Sequence, residues 1–206
     1  MTYFHEHTKT IDATTLNFPS NEPKLNVLSL FSGAGGMDLG FKGGFDYLDS
    51  HYMENPYSLV FANDIFKQAA DIYEDNFKHR VERRSIIDLE LSEIDNFITE
   101  QTGMLVPEID IVLGGFPCQT FSYSGKRKGL SDPRGQLYLQ MIRVINHYKP
   151  KMFVAENVDG IRNSRKNKAG KDIDKSALDV ILEDFEKQGY EVQYKVLNAA
   201  DYGVPQ

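Results

Sequence analysis

The sequence predicts an α/β protein with a doubly wound, mostly parallel sheet. Short apolar runs recur along the chain, and most of them end at glycine or at a polar residue. Stretches with apolar residues at helical spacing lie between these runs, and strands that alternate with helices are typical of parallel sheets. Ligands of such sheets bind beyond the carboxyl ends of the strands, which is where the chemically unusual residues of this sequence fall.

The strands are predicted from the apolar runs. Five runs qualify, namely Leu25–Phe31, Ser58–Ala62, Ile109–Leu113, Lys151–Ala155 and Glu191–Leu197. A continuous apolar run that ends in glycine indicates a strand buried on both faces of a parallel sheet. We therefore expect these runs to form the central layer of the fold.

The helices are predicted from apolar spacing. Phe66–Phe77 and Gln136–His147 carry apolar residues at helical intervals, and residues 176–188 have the pattern of an amphipathic helix. Residues 42–57 contain glycines and a proline and are predicted to form an inserted surface excursion.

Length and composition indicate one domain of ordinary size. The chain has 206 residues, of which 41% are hydrophobic, and its formal net charge is -7. This charge is unfavourable for a protein that holds DNA by its phosphates, so DNA binding would need locally concentrated basic residues or a further polypeptide. The chain has one cysteine, which excludes an intrachain disulfide.

The ends of the chain and its hydropathy predict a cytoplasmic protein. Residues 1–24 are polar and are predicted to be an extension outside the core, whereas residues 25–206 form the domain. Met1–Thr10 lacks the features of a signal peptide. No apolar run approaches the roughly 18 residues of a membrane span, so we expect no membrane contact.

A glycine turn follows the first predicted strand, with the sequence Phe31-Ser32-Gly33-Ala34-Gly35-Gly36. Its glycines allow a tight turn and close approach to a ligand, and the helix that follows offers free amide donors. The third glycine is misplaced for a dinucleotide fingerprint, so a structural turn and a cofactor loop both fit. Asp64 ends the second predicted strand, where it could accept hydrogen bonds from ribose hydroxyls or cap the next helix. Together these features predict a site for an adenosine-containing cofactor.

A Pro-Cys loop follows the third predicted strand, from Gly114 to Ser122. A lone cysteine is usually a packing residue. Cys118, however, follows Pro117 in a loop at the carboxyl edge of the sheet, which favours a thiolate nucleophile. Glu156 ends the fourth predicted strand and would reach the same edge. Its carboxyl group could cap a helix, form an ion pair, or hydrogen-bond to a ring nitrogen of an attacked base.

Two basic segments have two interpretations each. Residues 161–175 are rich in Arg, Lys and Asn, and Lys126-Arg127-Lys128 follows the Pro-Cys loop. A solvated loop is the ordinary interpretation of such segments, and contact with nucleic-acid phosphates is the alternative.

Taken in order, these segments resemble the cytosine-5 DNA methyltransferases, especially the bacterial restriction-modification type. The resemblance runs from Asn26 to Gln206. The matching segments are Phe31–Gly36, Asp64–Ile65, Gly115–Ser122, Asp132–Tyr138, Glu156–Val158 and Asn198–Gln206.

The resemblance implies a Rossmann-like fold that binds S-adenosylmethionine and uses no metal. The cofactor-binding residues that it implies are Phe31, Gly33, Gly35, Gly36, Asp64, Ile65, Ile86, Pro117 and Leu137. It makes Cys118 and Glu156 catalytic. The substrate-binding residues that it implies are Gln119, Ser122 and Asn157.

The implied substrate is a cytosine flipped out of double-stranded DNA. The resemblance implies that the Cys118 thiolate attacks ring carbon 6, while Glu156 interacts with ring nitrogen 3. Carbon 5 then takes the methyl group of S-adenosylmethionine.

The chain also departs from the family pattern. Ser85 stands where the family usually has an acid that contacts the adenine amino group. The supporting arginines, the target-recognition domain and a final segment that completes the cofactor pocket do not occur in these 206 residues.

Three hypotheses follow from the resemblance and its departures. The chain is the catalytic core of a DNA methyltransferase, either as a fragment or as one chain of a split enzyme whose second chain supplies target recognition. It is alternatively a non-catalytic module that binds cofactor or a partner, or a transfer-RNA methyltransferase of the same superfamily.

Overall fold

A computed structural model describes residues 23–103, 105–117, 137–163 and 176–204. Six strands lie in this part of the chain: β1 (Leu25–Leu30), β2 (Phe45–Tyr47), β3 (Ser50–Tyr52), β4 (Tyr57–Asn63), β5 (Ile111–Gly114) and β6 (Met152–Ala155). The α-helices there are α1 (Gly36–Lys42), α2 (Lys67–Phe77), α3 (Leu91–Thr102), α4 (Tyr138–Tyr148) and α5 (Ala177–Glu186). Short 3-10 helices cover Asp159–Asn163 and Ala199–Tyr202.

Four strands form one parallel sheet in the order β4-β1-β5-β6. Leu30, the last residue of β1, pairs with Asn63 of β4 and Gly114 of β5, and Gly114 also pairs with Ala155 of β6. The four carboxyl ends are therefore level. The chain passes from β1 to β4 on one side and later to β5 on the other, so the strand order reverses at β1. Such a reversal opens the crevice in which α/β sheets bind ligands.

Helices cover both faces of the sheet, as the doubly wound prediction requires. On one face, Leu28 and Leu30 belong to the largest core cluster, with buried residues of α3, α4 and α5. On the other face, Val27 packs with Ile111 and Leu113 and with partly buried residues of α1, while Ala62 packs with buried residues of α2. The alternation of Val27 and Leu28 between faces follows from the two-residue period of a strand.

Several predicted elements are confirmed with shifts of at most two residues at their ends. The Ile109–Leu113 run forms β5 from Ile111, and Asp110, just before it, also joins the neighbouring segments of the chain through its side chain. Its Oδ2 accepts the N–H of Asn26 and its Oδ1 pairs with Lys151. Helix α3 was not predicted. It begins with a capping box in which Glu90 and Glu93 each accept the other's backbone N–H.

The predicted strand Glu191–Leu197 was wrong, since the structure forms no strand over these residues. A strand needs a hydrogen-bonded neighbour, and no ladder joins these residues to β6. Tyr190 anchors the start of the segment instead. Its hydroxyl donates to the carbonyl oxygen of Pro150 at 2.7 Å, and its ring packs edge-on against Phe153.

The predicted surface excursion contains an antiparallel hairpin of β2 and β3. Phe45 and Tyr52 stack across the two strands with their ring centroids 4.9 Å apart. Next to the turn, the Tyr47 hydroxyl donates to the carbonyl oxygen of Gly203 at 2.8 Å. This bond joins the hairpin to the segment after the second 3-10 helix.

Most of two predicted segments lies outside the described residues. They are the extension 1–24, of which only residues 23 and 24 are described, and the basic segment 161–175, described as far as residue 163. Both remain predictions. Among the residues that the structure describes, every helix falls short of the length and apolarity that crossing a bilayer requires.

Candidate active site

The glycine turn lies between β1 and α1 and uses left-handed backbone at three positions. Phe31 has φ 53°, Gly33 has φ 56° and Gly35 has φ 92°. A Cβ atom on Gly35 would lie 2.3 Å from Cε2 of Phe77 and 2.9 Å from Cδ2 of Tyr73. Glycine is therefore required there because α2 packs directly against the turn. A Cβ on Gly33 or Gly36 would meet no atom within 4 Å, so the backbone at these two positions borders open space.

Asp64 joins the glycine turn to the end of β4. Its Oδ2 accepts the backbone N–H of Gly33 at 2.8 Å, and its Oδ1 accepts that of Phe66 at 2.7 Å. Helix α2 has Phe66 at its N-cap position, so Asp64 precedes the cap and fixes the chain that enters the helix. The half-buried carboxylate uses one acceptor site on each oxygen in these bonds, which leaves further acceptor sites for a ligand.

A buried acid that the sequence reasoning missed lies behind the turn. Asp38 of α1 is 1% exposed, and its carboxylate accepts hydrogen bonds from the hydroxyls of Ser29 and Tyr73 at 3.0 and 2.9 Å. Burial raises the pKa of Asp38, while the two hydroxyl donors act in the opposite direction. Burial and the neighbouring Asp38 carboxylate also raise the pKa of Tyr73. This network connects β1, α1 and α2 beneath the turn.

Beyond Asp64, apolar side chains point into solvent. Ile65 is 70% exposed and Phe66 is 60% exposed. Ile86 is 2% exposed and belongs to the main core, whereas its neighbour Ile87 is 56% exposed. Of these two predicted cofactor contacts, Ile65 is accessible through its side chain, whereas Ile86 is buried and its turn exposes Ile87 instead.

The other half of the edge is built from the ends of β5 and β6. A Cβ on Gly114 would lie 2.7 Å from Sδ of Met141, so α4 packs directly on the end of β5. Phe116 turns back into the core and is 5% exposed, and Pro117 is half-buried. These two residues set the direction of the chain as it leaves the sheet towards Cys118. The predicted site residues Cys118, Gln119 and Ser122 lie outside the described residues, as does Lys126-Arg127-Lys128.

Glu156 and Asn157 meet this loop from β6. The N–H of Glu156 donates to the carbonyl oxygen of Gly114 at 3.0 Å, and its exposed carboxylate reaches within 3.5 Å of the position of a Cβ on Gly115. Asn157 Nδ2 donates to the carbonyl oxygen of Phe116 at 3.0 Å, and its Oδ1 accepts the N–H of Val158. Asn157, predicted to bind substrate, thus braces the Pro-Cys loop in this structure.

The structure brings together most of the predicted site residues that it describes. Phe31, Gly33 and Asp64 meet at one end of the edge, and Glu156 and Asn157 meet the Pro-Cys loop at the other. Leu137 precedes α4 and packs half-buried against the main core. Within residues 23–103, 105–117, 137–163 and 176–204, no cluster of three or more His, Cys, Asp or Glu side chains has the arrangement of a metal site.

These features define an α/β protein of the methyltransferase class. They are the parallel sheet, the glycine turn after β1, the acid after β4, and the contact between the Pro-Cys loop and the Glu156–Val158 segment. The chain belongs to the C-5 cytosine-specific DNA methylase family, whose sequence model matches residues 25–206.

Two curated relatives show the same likeness. Type II methyltransferase M.FnuDI of Fusobacterium nucleatum is 37% identical over 183 residues, covering 88% of this chain and 44% of that protein. Type II methyltransferase M.NgoFVII of Neisseria gonorrhoeae is 39% identical over 193 residues, covering 94% and 43%. The chain thus spans less than half the length of these relatives.

A solved structure supports the fold. The Entamoeba histolytica methyltransferase EhMeth superposes with a TM-score of 0.61 at 22% identity, covering 89% of this chain and 50% of that one. The predicted doubly wound, Rossmann-like fold is confirmed.

Proposed function

We propose that this chain carries the cofactor-binding and base-attacking residues of an enzyme that transfers a methyl group from S-adenosylmethionine to carbon 5 of cytosine in DNA. The observation that carries the proposal is the junction of β5 and β6. There Asn157 holds the carbonyl of Phe116 and Glu156 pairs with Gly114, so the loop that leads to Cys118 starts beside the Glu156 carboxylate. Membership of the cytosine-specific family over residues 25–206 supports the same chemistry.

The β1–β4 half of the edge fits S-adenosylmethionine. The backbone at Gly33 and Gly36 borders open space, the Asp64 carboxylate keeps acceptor sites for ribose hydroxyls, and the exposed Ile65 side chain offers an apolar surface to adenine. When bound, S-adenosylmethionine supplies an electrophilic methyl group. We assign further contacts with it to Phe31, Ile86, Pro117 and Leu137. Packing against α2 explains why residue 35 is glycine.

The proposed chemistry needs a nucleophile and a hydrogen-bonding acid on one base. The Cys118 thiolate forms a bond to carbon 6 of a flipped-out cytosine. The Glu156 carboxyl group, carrying its proton, donates a hydrogen bond to ring nitrogen 3 and so stabilises the negative charge that the attack places on the ring. Carbon 5 would take the methyl group, with the cofactor sulfur as leaving group and S-adenosylhomocysteine as product, and would then lose its proton to a base. The Sγ–C6 bond breaks, the thiolate leaves, and the aromatic ring is restored. Gln119 and Ser122 are assigned contacts with the base or its backbone.

Target recognition is proposed to come from polypeptide outside residues 1–206, either further along the same chain or on a second chain. The relatives M.FnuDI and M.NgoFVII are more than twice as long as the matched part, and the net charge of -7 is unfavourable for holding DNA. The outer edge of β6 has no partner strand among the described residues. A largely apolar groove of about 330 Å³ lies beside this edge and is lined by residues of β6 and by Tyr190–Tyr194. Such an edge is where added polypeptide extends a sheet.

Covalent trapping on 5-fluorocytosine tests this function. Fluorine at carbon 5 cannot leave as a cation, so the methylated adduct persists and migrates with the nucleic acid on a denaturing gel. We expect an adduct on double-stranded DNA when the chain is combined with the polypeptide that completes it and with S-adenosylmethionine. Cys118 is the only cysteine of the chain, so Cys118→Ser is the matched control and should form no adduct through this chain.

The outcomes separate the three hypotheses. An adduct on RNA alone would assign the chain to RNA methylation. No adduct on either nucleic acid with the completed protein would leave a non-catalytic module. We also expect residues 1–206 alone to show little or no site-specific methylation, measured by protection of a plasmid from restriction enzymes. Robust protection by this chain alone would contradict the proposal that target recognition comes from further polypeptide.

A further inference from the structure

Between α3 and Glu82, which forms an isolated bridge with Asn63 of β4, the chain forms a turn, Ser85–Glu90, that carries the predicted cofactor contact Ile86. Ser85 stands where the family usually has an acid that contacts the adenine amino group. Inside the turn, the carbonyl oxygen of Ser85 accepts the N–H of Asp88 at 2.9 Å, and its Oγ accepts that of Ile87 at 3.3 Å. Ile86 and Leu89 are each 2% exposed and anchor the turn in the main core, while Ile87 is 56% exposed. The turn therefore presents a short exposed surface between two buried anchors.

Two side chains from other elements hold this part of the chain through its backbone carbonyls. On the β4 side, Asn63 is 1% exposed and its Nδ2 donates to the carbonyl oxygens of Glu82 and Arg84 at 2.8 and 2.9 Å. Asn63 is the residue before Asp64. On the opposite side, Arg143 of α4 lies half-buried and donates through Nη2 to the carbonyl oxygen of Ile86 at 2.6 Å, and through Nη1 to that of Leu89 at 2.9 Å.

No pattern in the sequence indicates the role of Arg143, because a single arginine in an amphipathic helix is usually solvated. Its Nε donates to Oε1 of Gln140, one turn earlier in α4, at 2.9 Å. This bond orients the guanidinium towards the turn. Helix α4 follows Leu137, another predicted cofactor contact. Arg143 thus joins the Ser85–Glu90 turn to the helix that begins after Leu137, and the proposed function assigns Ile86 and Leu137 to the same ligand.

We propose that Arg143 is a positioning residue for the adenine side of the cofactor pocket, acting through the carbonyl of Ile86 and the shape of the Ser85–Glu90 turn. The inference rests on the proposed use of S-adenosylmethionine. The guanidinium is planar and always charged, and its fork reaches two carbonyls three residues apart, which a single lysine ammonium does less well. Without Arg143, the carbonyl oxygens of Ile86 and Leu89 lose their hydrogen-bond donors, and the turn becomes free to move.

The test measures ligand affinity and local mobility in the same variants of the full chain. Calorimetry with S-adenosylhomocysteine gives the Kd, and hydrogen exchange by mass spectrometry gives the protection of the Ser85–Glu90 turn. For Arg143→Met we expect the Kd to rise about 5- to 20-fold, as for loss of one or two charge-assisted hydrogen bonds, with faster exchange confined to the turn and its flanks. Arg143→Lys should recover part of both effects.

Arg83→Met is the matched control. Arg83 lies in the same part of the chain and donates to Asp71 and Glu74 of α2, both at 2.6 Å. The Arg83→Met variant therefore loses two charged hydrogen bonds, as Arg143→Met does, but neither of them is made to the Ser85–Glu90 turn. We expect its Kd to stay within about twofold of the original, since no ligand-facing group moves. All measurements are made well below the lowest melting temperature of the set, and Arg143→Lys provides the comparison if Arg143→Met does not fold.

Each other outcome overturns the inference. If the turn loosens in the Arg143 variants but the Kd is unchanged, the turn is not part of the pocket. If Arg83→Met raises the Kd as much as Arg143→Met, the effect is one of general stability. If the unchanged chain does not bind S-adenosylhomocysteine, the proposed cofactor assignment fails and this inference fails with it. If the unchanged chain binds the ligand and the Arg143 variants bind it equally well, only this inference fails.

Discussion

The two halves of the carboxyl edge differ in how completely the described chain supports them. In the β1–β4 half, Asp64 bonds to the glycine turn, Asp38 bonds to two hydroxyls beneath it, and Asn63 secures the neighbouring segment. In the β5–β6 half, Asn157 braces the Pro-Cys loop, but Glu156 is exposed and β6 has no outer neighbour among the described residues.

This difference indicates that the two halves of the edge have separate roles in the proposed enzyme. The groups of the β1–β4 half bond to one another within residues 1–206, so we expect this half to bind cofactor even without the final segment that the family resemblance adds to the pocket. The β5–β6 half carries reactive groups at a surface with an open groove beside it, so we expect its chemistry to depend on added polypeptide. Variants in the two halves should therefore separate ligand binding from turnover.

The largest expected effect is on turnover in the β5–β6 half. Glu156→Gln in the completed enzyme should lower the methylation rate by about 10²- to 10³-fold, since it removes a group that stabilises the charge developing on the base. Single-turnover transfer of a labelled methyl group to DNA gives the rate. The Kd of S-adenosylhomocysteine should not change, because glutamine keeps the size and polarity of a side chain that is assigned to the base and not to the cofactor. A large change in that Kd would show that the two halves are not independent.

The next effect is on stability in the β1–β4 half. Gly35→Ala places a Cβ 2.3 Å from Phe77 in a left-handed backbone, and overpacking together with backbone strain should cost about 2–4 kcal/mol in the free energy of unfolding. Gly33→Ala is the control. It has a left-handed φ but no steric clash, and should cost about 1 kcal/mol. Urea unfolding of both variants makes the comparison, and equal losses would show that contact with α2 does not decide the choice of glycine at residue 35.

The features predictable from the sequence were those encoded locally. The run Leu25–Phe31, the glycines after it and Asp64 identified β1, the turn and the end of β4, because burial on both faces and tight turns each demand particular residue types. The strand at Glu191–Leu197 was wrong because pairing requires a neighbour that local composition does not reveal. The bracing contact of Asn157 and the hydrogen bonds of Arg143 were missed for a related reason, since both depend on carbonyls that only the fold brings close.

A moderate effect on ligand affinity is expected from Asp64. Asp64→Ala should weaken binding of S-adenosylhomocysteine by about 1–3 kcal/mol, the usual cost of losing hydrogen bonds to a charged group. Part of the loss would be indirect, because the Gly33 N–H also loses its acceptor. The affinity of Asp64→Asn, which keeps one acceptor oxygen, should lie between those of the original chain and Asp64→Ala. Calorimetry on residues 1–206 gives the values, and an unchanged Kd for Asp64→Ala would count against the ribose role and against a self-sufficient β1–β4 half.

The smallest expected effect is a pH dependence that originates behind the β1–β4 half. His79 is 8% exposed, packs edge-on against Tyr73, and neither ring nitrogen has a hydrogen-bond partner of normal geometry within the described residues. Burial lowers the pKa of His79, and nearby backbone groups and Glu74 only partly oppose this.

The folded state disfavours protonated His79. The free energy of unfolding is therefore highest, as far as His79 is concerned, above the unfolded pKa of about 6.5. It decreases as the pH falls from there towards the lower pKa of the folded state. The slope from one group cannot exceed about 1.4 kcal/mol per pH unit. His79→Leu removes the titrating group and should flatten the stability profile just below pH 6.5, measured by urea unfolding at closely spaced pH values. Parallel profiles for the variant and the original chain over that range would show that His79 is already satisfied in the folded state, and that the packing behind the glycine turn tolerates a charge.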